Sequence, residues 1–136
     1  MVEDTEDLRR TLGDLLRTNG IDVIEARNEY EALGKVFSEQ VDAIIADINL
    51  SGEGGEDNGG ITLARLMKQS NQMIPIILIS FTPWLHFPDP SDPQHEQKKK
   101  ELNIQAILGR HGNSFDNDLL RELMTALQES AESKGA

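Results

Sequence analysis

Asp47 closes the apolar run Val41-Asp42-Ala43-Ile44-Ile45-Ala46 and is followed at once by a glycine-rich, acidic loop. That spacing sets a carboxylate at the C-terminal end of a buried strand. In open α/β sheets ligands gather in the crevice beyond such strand ends, so an ionisable residue there is a candidate for chemistry. The competing reading is an ordinary turn or cap carboxylate, a common use of Asp. A second acidic pair decides between them: Glu3 and Asp4 follow Met1-Val2 and precede the helical pattern Leu8, Leu12, Leu15, Leu16. Two adjacent parallel strands ending in acid would bring Asp4 and Asp47 into one pocket. Oxygen ligands of that kind suit a hard divalent cation such as Mg²⁺. Without a cation, like charges at close range would raise a carboxylate pKa.

Other chemistries lack their residues. His86, His95 and His111 show no metal-ligand spacing, and no cysteine is present. The glycines from Gly52 to Gly60 do not fall in the order of a phosphate-cradling loop or a dinucleotide fingerprint. Ser80 ends an apolar strand without the glycines of a nucleophile elbow. The acids of the loop Ser51 to Gly59 do not fit the calcium-loop template.

The elements that must position these acids alternate along the chain. Thr5 to Asn19 reads as an amphipathic helix, with Thr5 or Asp4 as its N-cap and Gly20 at its stop. Ile21 to Ala26 reads as a strand, and Asn28 as the cap of a helix whose apolar face is Tyr30, Leu33, Val36 and Phe37. The strand Val41 to Asp47 follows. Ile61 to Gln69 is a third helix with Leu63, Leu66 and Met67 inward, and Ile74 to Ser80 is a near-continuous apolar strand of the kind covered on both faces. Gln94 to Leu102 is a basic helix, Ile104 to Leu108 a last strand, and Asp116 to Glu129 a final helix through Leu119, Leu120, Leu123 and Leu127. Such alternation predicts a parallel α/β sheet. Four of the five prolines fall between Thr82 and Pro93, where no helix can run. Trp84 and Phe87 in that segment either form a binding surface or fold back over the core.

The 136 residues suit one domain, expected over residues 1–127, with 128–136 as a helix end or tail. A formal net charge of −11 argues against nucleic acid or an anionic membrane as partner and suits basic partners. Lys98-Lys99-Lys100 is then a solvated helix face. No apolar run approaches a membrane span and no signal-peptide pattern opens the chain, so a cytoplasmic protein is expected.

The beginning of the chain conflicts with this plan. A strand needs about five residues, yet only Met1 and Val2 precede the acidic pair. In a flavodoxin-like sheet of order 2-1-3-4-5 the first strand lies between the second and third. The expectation is that the chain starts inside its own first strand, which is then largely missing.

The residues resemble the response-regulator receiver domains of two-component signalling, from Val2 to about Leu127. Val2-Glu3-Asp4 with Asp7-Leu8-Arg9-Arg10 is similar to that family's first strand end and helix. Ala46-Asp47-Ile48-Asn49-Leu50 is similar to its phosphoacceptor strand, and Ile76-Ile77-Leu78-Ile79-Ser80 to the strand ending in its switch hydroxyl. The resemblance implies a flavodoxin-like three-layer sandwich around a five-stranded parallel sheet, and phosphoryl transfer onto Asp47 from a histidine kinase or phosphotransfer protein. It implies Mg²⁺ held by Asp4, Asp47 and the backbone carbonyl of Asn49, with Glu3 nearby or acting through water. Ser80 would contact the phosphoryl group, and the signal would be a phosphorylation-dependent contact with a downstream protein.

Three positions depart from the family. Arg110, in Leu108-Gly109-Arg110-His111, stands where the family has lysine; it keeps the charge but presents a planar fork. Phe81 replaces a small residue after the switch serine, and Ile107 replaces the switch aromatic. These departures support an alternative, a pseudo-receiver that binds partners without phosphorylation. An alternative of another class is a Mg²⁺-dependent phosphohydrolase with Asp47 as nucleophile. It needs a general acid two residues on, where Asn49 stands. A non-enzymatic module is therefore expected.

Overall fold

The computed structural model describes residues 1–48, 59–80, 87–109 and 117–135. Over these the elements run α1 (Glu6–Thr18), α2 (Glu29–Ser38), β1 (Ile44–Asp47), α3 (Gly59–Gln69), β2 (Ile76–Ser80), α4 (Gln94–Glu101), β3 (Ile104–Gly109) and α5 (Asn117–Gly135). The stop at Gly20 holds, for this glycine takes the left-handed φ of 83° that ends helices. Asn28 caps α2 by accepting a hydrogen bond from the Glu31 amide at 2.8 Å. Thr5 occupies the N-cap of α1 without a side-chain bond. The last helix continues through Gly135, so most of the stretch after Leu127 is helical.

β1, β2 and β3 pair in parallel in that order. The apolar runs of β1 and β2 are buried on both faces because helices cover both, whereas β3 is buried at Ile104 and only half-buried over Gln105 to Leu108. On one face Ile44, Ala46, Ile76, Leu78 and Ile104 pack with Ala32, Val36, Leu63, Ala64 and Met67 of α2 and α3. On the other, Ile45, Ile77 and Ile79 pack with Leu12 and Leu16 of α1 and with Leu119, Leu123 and Ala126 of α5. The strict alternation of neighbours between these clusters is the pleat of a strand, and it defines three layers. Between β2 and β3 the register slips at Ile76/Ile77, where Ile104 and Ala106 are the successive partners of adjacent residues. Gln105 is the extra residue of this bulge. By shifting the phase it turns Ile107 toward the α2–α3 cluster and Ala106 and Leu108 toward the other.

The sheet corrects the expected five strands: among the described residues three form. Val2 nonetheless holds the first-strand position, bridging in parallel to Ala26 on one side and Ala46 on the other. Its amide donates to Ile45 at 2.7 Å and its carbonyl accepts from Asp47 at 3.1 Å. The spatial order 2-1-3-4-5 is therefore kept. Ile21 to Ala26 was expected as a strand, yet only its end pairs, through Met1 to Glu3: the Ala26 amide donates to Met1, the Glu3 amide to Ala26, and the Met1 amine to Ile24 at 2.9 Å. A strand is a ladder, and Ile21 to Val23 have no such partner alongside. A 610 Å³ cavity lies there instead, lined by residues including Met1, Ile21, Val23, Val41, Ala43 and Ile45. The Met1 amine is buried at its edge, and that desolvation lowers its pKa from the usual 8.0 to about 6 against the opposing pull of Glu25.

A further correction concerns α2. Tyr30 and Phe37 were expected on its inward face, but they are 70% and 62% exposed. Ala32 and Val36 are buried instead, with Leu33 packed beside them. The helix meets its neighbours along a narrow stripe, and the wider apolar arc read from the sequence turns outward.

Candidate functional site

The site lies where the parallel strands end together. Asp47 closes β1 opposite Ile79, and Ser80 closes β2 one residue beyond, opposite Gly109 at the end of β3. Both are buried, as is Glu3. Because Val2 pairs with Ala46, Glu3 stands beside Asp47 on the neighbouring strand, and Asp4 follows where the chain leaves the sheet. Four residues of the predicted site thus gather at one sheet edge: Glu3, Asp4, Asp47 and Ser80. Asn49 and Arg110 fall outside the described residues, as do Phe81, Trp84, His86, His111 and the acidic loop from Ser51 to Asn58.

Local hydrogen bonds fix the acidic turn. The Thr5 amide donates to Glu3 Oε1 at 3.2 Å, and Arg9 Nη1 donates to the Glu3 backbone carbonyl at 2.9 Å. On the other side of Asp47, the Gly60 amide donates to the Ile48 carbonyl at 2.9 Å, seating the start of α3 against the end of β1. A Cβ at Gly60 would lie 2.6 Å from the Asp47 carbonyl oxygen and 3.0 Å from Ile48 Cα. Only glycine permits this approach. The sequence reading missed Gly60; its signal was the Gly59-Gly60 pair set directly before an apolar helical pattern.

Among the described residues no group of three or more Asp, Glu, His or Cys side chains could hold a metal ion. Mg²⁺ does not need such a group. The ion keeps several waters and takes one or two carboxylates together with phosphate oxygens, in place of an all-protein cage. Glu3 and Asp47 are buried next to one another and Asp4 follows Glu3 in the chain; in type, these are the hard oxygen donors that Mg²⁺ favours.

The histidine in the first turn of α4 is structural. His95 is buried, its Nδ1 lies 2.7 Å from the Pro88 carbonyl, and its ring meets Phe87 edge-on at 5.7 Å. Phe87, one of two aromatics read as either surface or core, is core. Outside this buried pair, the Ser91 hydroxyl and amide donate to Asp89, which holds its carboxyl below the usual range. No described helix is long and apolar enough to cross a membrane.

The fold and the carboxylate edge define a signalling receiver. The match to the family described as response regulator receiver domain spans residues 1–83, and the chain belongs to that family. An NtrX-like response regulator of Rickettsia bellii is 30% identical over 80 residues, which is 59% of this chain and 16% of that protein. The chain therefore spans about a sixth of the length of that relative. Among solved structures, NtrX of Brucella abortus aligns with a TM-score of 0.69 at 18% identity, covering 98% of this chain and 28% of that one. The chemotaxis response regulator CheY4 of Vibrio cholerae aligns at 0.66 with 22% identity, covering 92% and 93%. The response regulator TrrA of Thermotoga maritima, solved in complex with Mg²⁺–BeF, aligns at 0.64 with 24% identity, covering 93% and 94%. These likenesses establish the flavodoxin-like α/β fold of receivers.

Proposed function

We propose that this chain is the receiver module of a two-component phosphorelay and accepts a phosphoryl group on Asp47 from a histidine kinase or phosphotransfer protein. The observation that carries the reading is the placement of Asp47, a buried carboxylate at the end of β1 with Glu3 beside it and Ser80 at the end of the adjoining strand. An Asp47 carboxylate oxygen attacks phosphorus, the bond from phosphorus to the donor's leaving atom breaks, and that atom takes the electron pair. The product is an acyl phosphate. Asp4, Asp47 and the Asn49 carbonyl, with Glu3 near or through water, would hold a Mg²⁺ ion, which would supply neutralisation of charge on the transferring group. Ser80 donates a hydrogen bond to a phosphoryl oxygen once the group is in place, and Arg110 contributes the cation where the family has lysine.

Such a module labels itself once per cycle and does not turn over a substrate. Its output is a contact made or broken when the charge at Asp47 changes. The net charge of −11 suits a protein partner over nucleic acid. Incubation with acetyl phosphate and Mg²⁺ tests the reading by intact mass. One phosphoryl increment is expected, lost when Mg²⁺ is chelated. A folded protein that gains none would instead be the pseudo-receiver that Arg110, Phe81 and Ile107 suggest, and steady phosphate release would indicate a phosphohydrolase.

A further inference from the structure

Arg9 lies on the first turns of α1, yet its side chain is only 14% exposed. Its Nη1 donates to the Glu3 carbonyl at 2.9 Å, and its Nε lies 3.6 Å from Glu25 Oε1. The other Glu25 oxygen is held by Arg17 Nη2 at 2.9 Å. The chain of contacts therefore runs from α1 through Glu25 to the last peptide before Asp4.

We propose that Arg9, itself oriented by Glu25, is a positioning residue for the Mg²⁺ site: it fixes the peptide plane between Glu3 and Asp4 and so aims the Asp4 carboxylate. The inference rests on the receiver reading above. The Glu3 amide is already fixed, donating to the Ala26 carbonyl at 3.0 Å. In a continuing parallel ladder the Glu3 carbonyl would accept from the amide two residues beyond Ala26. That residue is Asn28, which has left the sheet to cap α2. Arg9 takes the place of the missing strand partner. A guanidinium suits this because its fixed fork serves the carbonyl and the Glu25 carboxylate at once, which an ammonium on a flexible stem does not.

The sign of the effect separates positioning from simple electrostatics. A cation beside a metal site repels the metal, so loss of the Arg9 charge alone would tighten Mg²⁺ binding. Loss of an outer partner that orients a metal ligand weakens binding, typically by 10–100-fold. Calorimetric titration with Mg²⁺ alone, beside thermal unfolding in metal-free buffer, is the test for wild type, Arg9→Lys, Arg9→Met and Glu25→Gln. Binding about tenfold weaker is expected in both Arg9 variants, with a smaller loss in Glu25→Gln. Arg9→Lys keeps the charge and most of the stem, so it decides the matter where Arg9→Met does not fold. A lowered melting temperature with unchanged Mg²⁺ affinity in Arg9→Lys would make Arg9 merely structural and overturn the proposal, as would tighter binding in Arg9→Met. A wild-type protein that binds no Mg²⁺ would overturn the metal reading itself, and this proposal with it.

Discussion

Asp47→Asn is expected to remain folded and to take up no phosphoryl group under conditions that label the wild type fully. The side chains are nearly isosteric, so the buried site at the end of β1 is refilled without a cavity. The amide has no anionic oxygen to attack phosphorus. Glu3 is the nearest buried rival, but it stands one strand over with its Oε1 engaged by the Thr5 amide. Asn also removes one of two neighbouring buried carboxylates, so the stability of the variant should lie within about 1 kcal/mol of wild type. Intact mass and a urea melt check both parts.

The second large effect is at a residue with no chemistry of its own. Gly60→Ala places a methyl group 2.6 Å from the Asp47 carbonyl oxygen and 3.1 Å from Leu78 Cδ2. Backbone lies on the short side of that clash, so the start of α3 or the end of β1 must move. Overpacking of this kind costs on the order of 3 kcal/mol. The displaced peptide belongs to Asp47, so the labelling rate should fall even in the fraction that folds. Gly34→Ala is the internal control. Gly34 sits in α2 with nothing within 4 Å of a built Cβ, so the same substitution there should stabilise by about 0.5–1 kcal/mol. Denaturant unfolding of the two variants should give opposite signs.

What could be read from the chain follows the range of the interactions involved. Asp47 and Ser80 were legible because each ends an apolar run, and the end of a buried parallel strand is the topological edge of such a sheet. The cap at Asn28 and the stop at Gly20 were legible because caps depend on neighbours a few residues away. Ile21 to Ala26 has a strand's composition, but a strand exists only with a partner, and Met1 to Glu3 pair with its last residues alone. Tyr30 and Phe37 fit the helical period, but period does not report how wide the buried stripe is, and α2 buries only its Ala32–Val36 side. The bulge at Gln105, the seat of Gly60 on Asp47 and the reach of Arg9 to Glu3 and Glu25 are contacts set by the assembled fold. No local pattern announces them.

The central claim is that Asp47 is the phosphoryl acceptor, and the most direct measurement identifies the modified residue itself. Wild-type protein labelled with acetyl phosphate and Mg²⁺ is reduced with borohydride, which converts an aspartyl acyl phosphate to homoserine, and its peptides are mapped by mass. The account predicts homoserine at position 47 and at no other aspartate. Conversion at another carboxylate, or an unreduced label on a histidine, would contradict it.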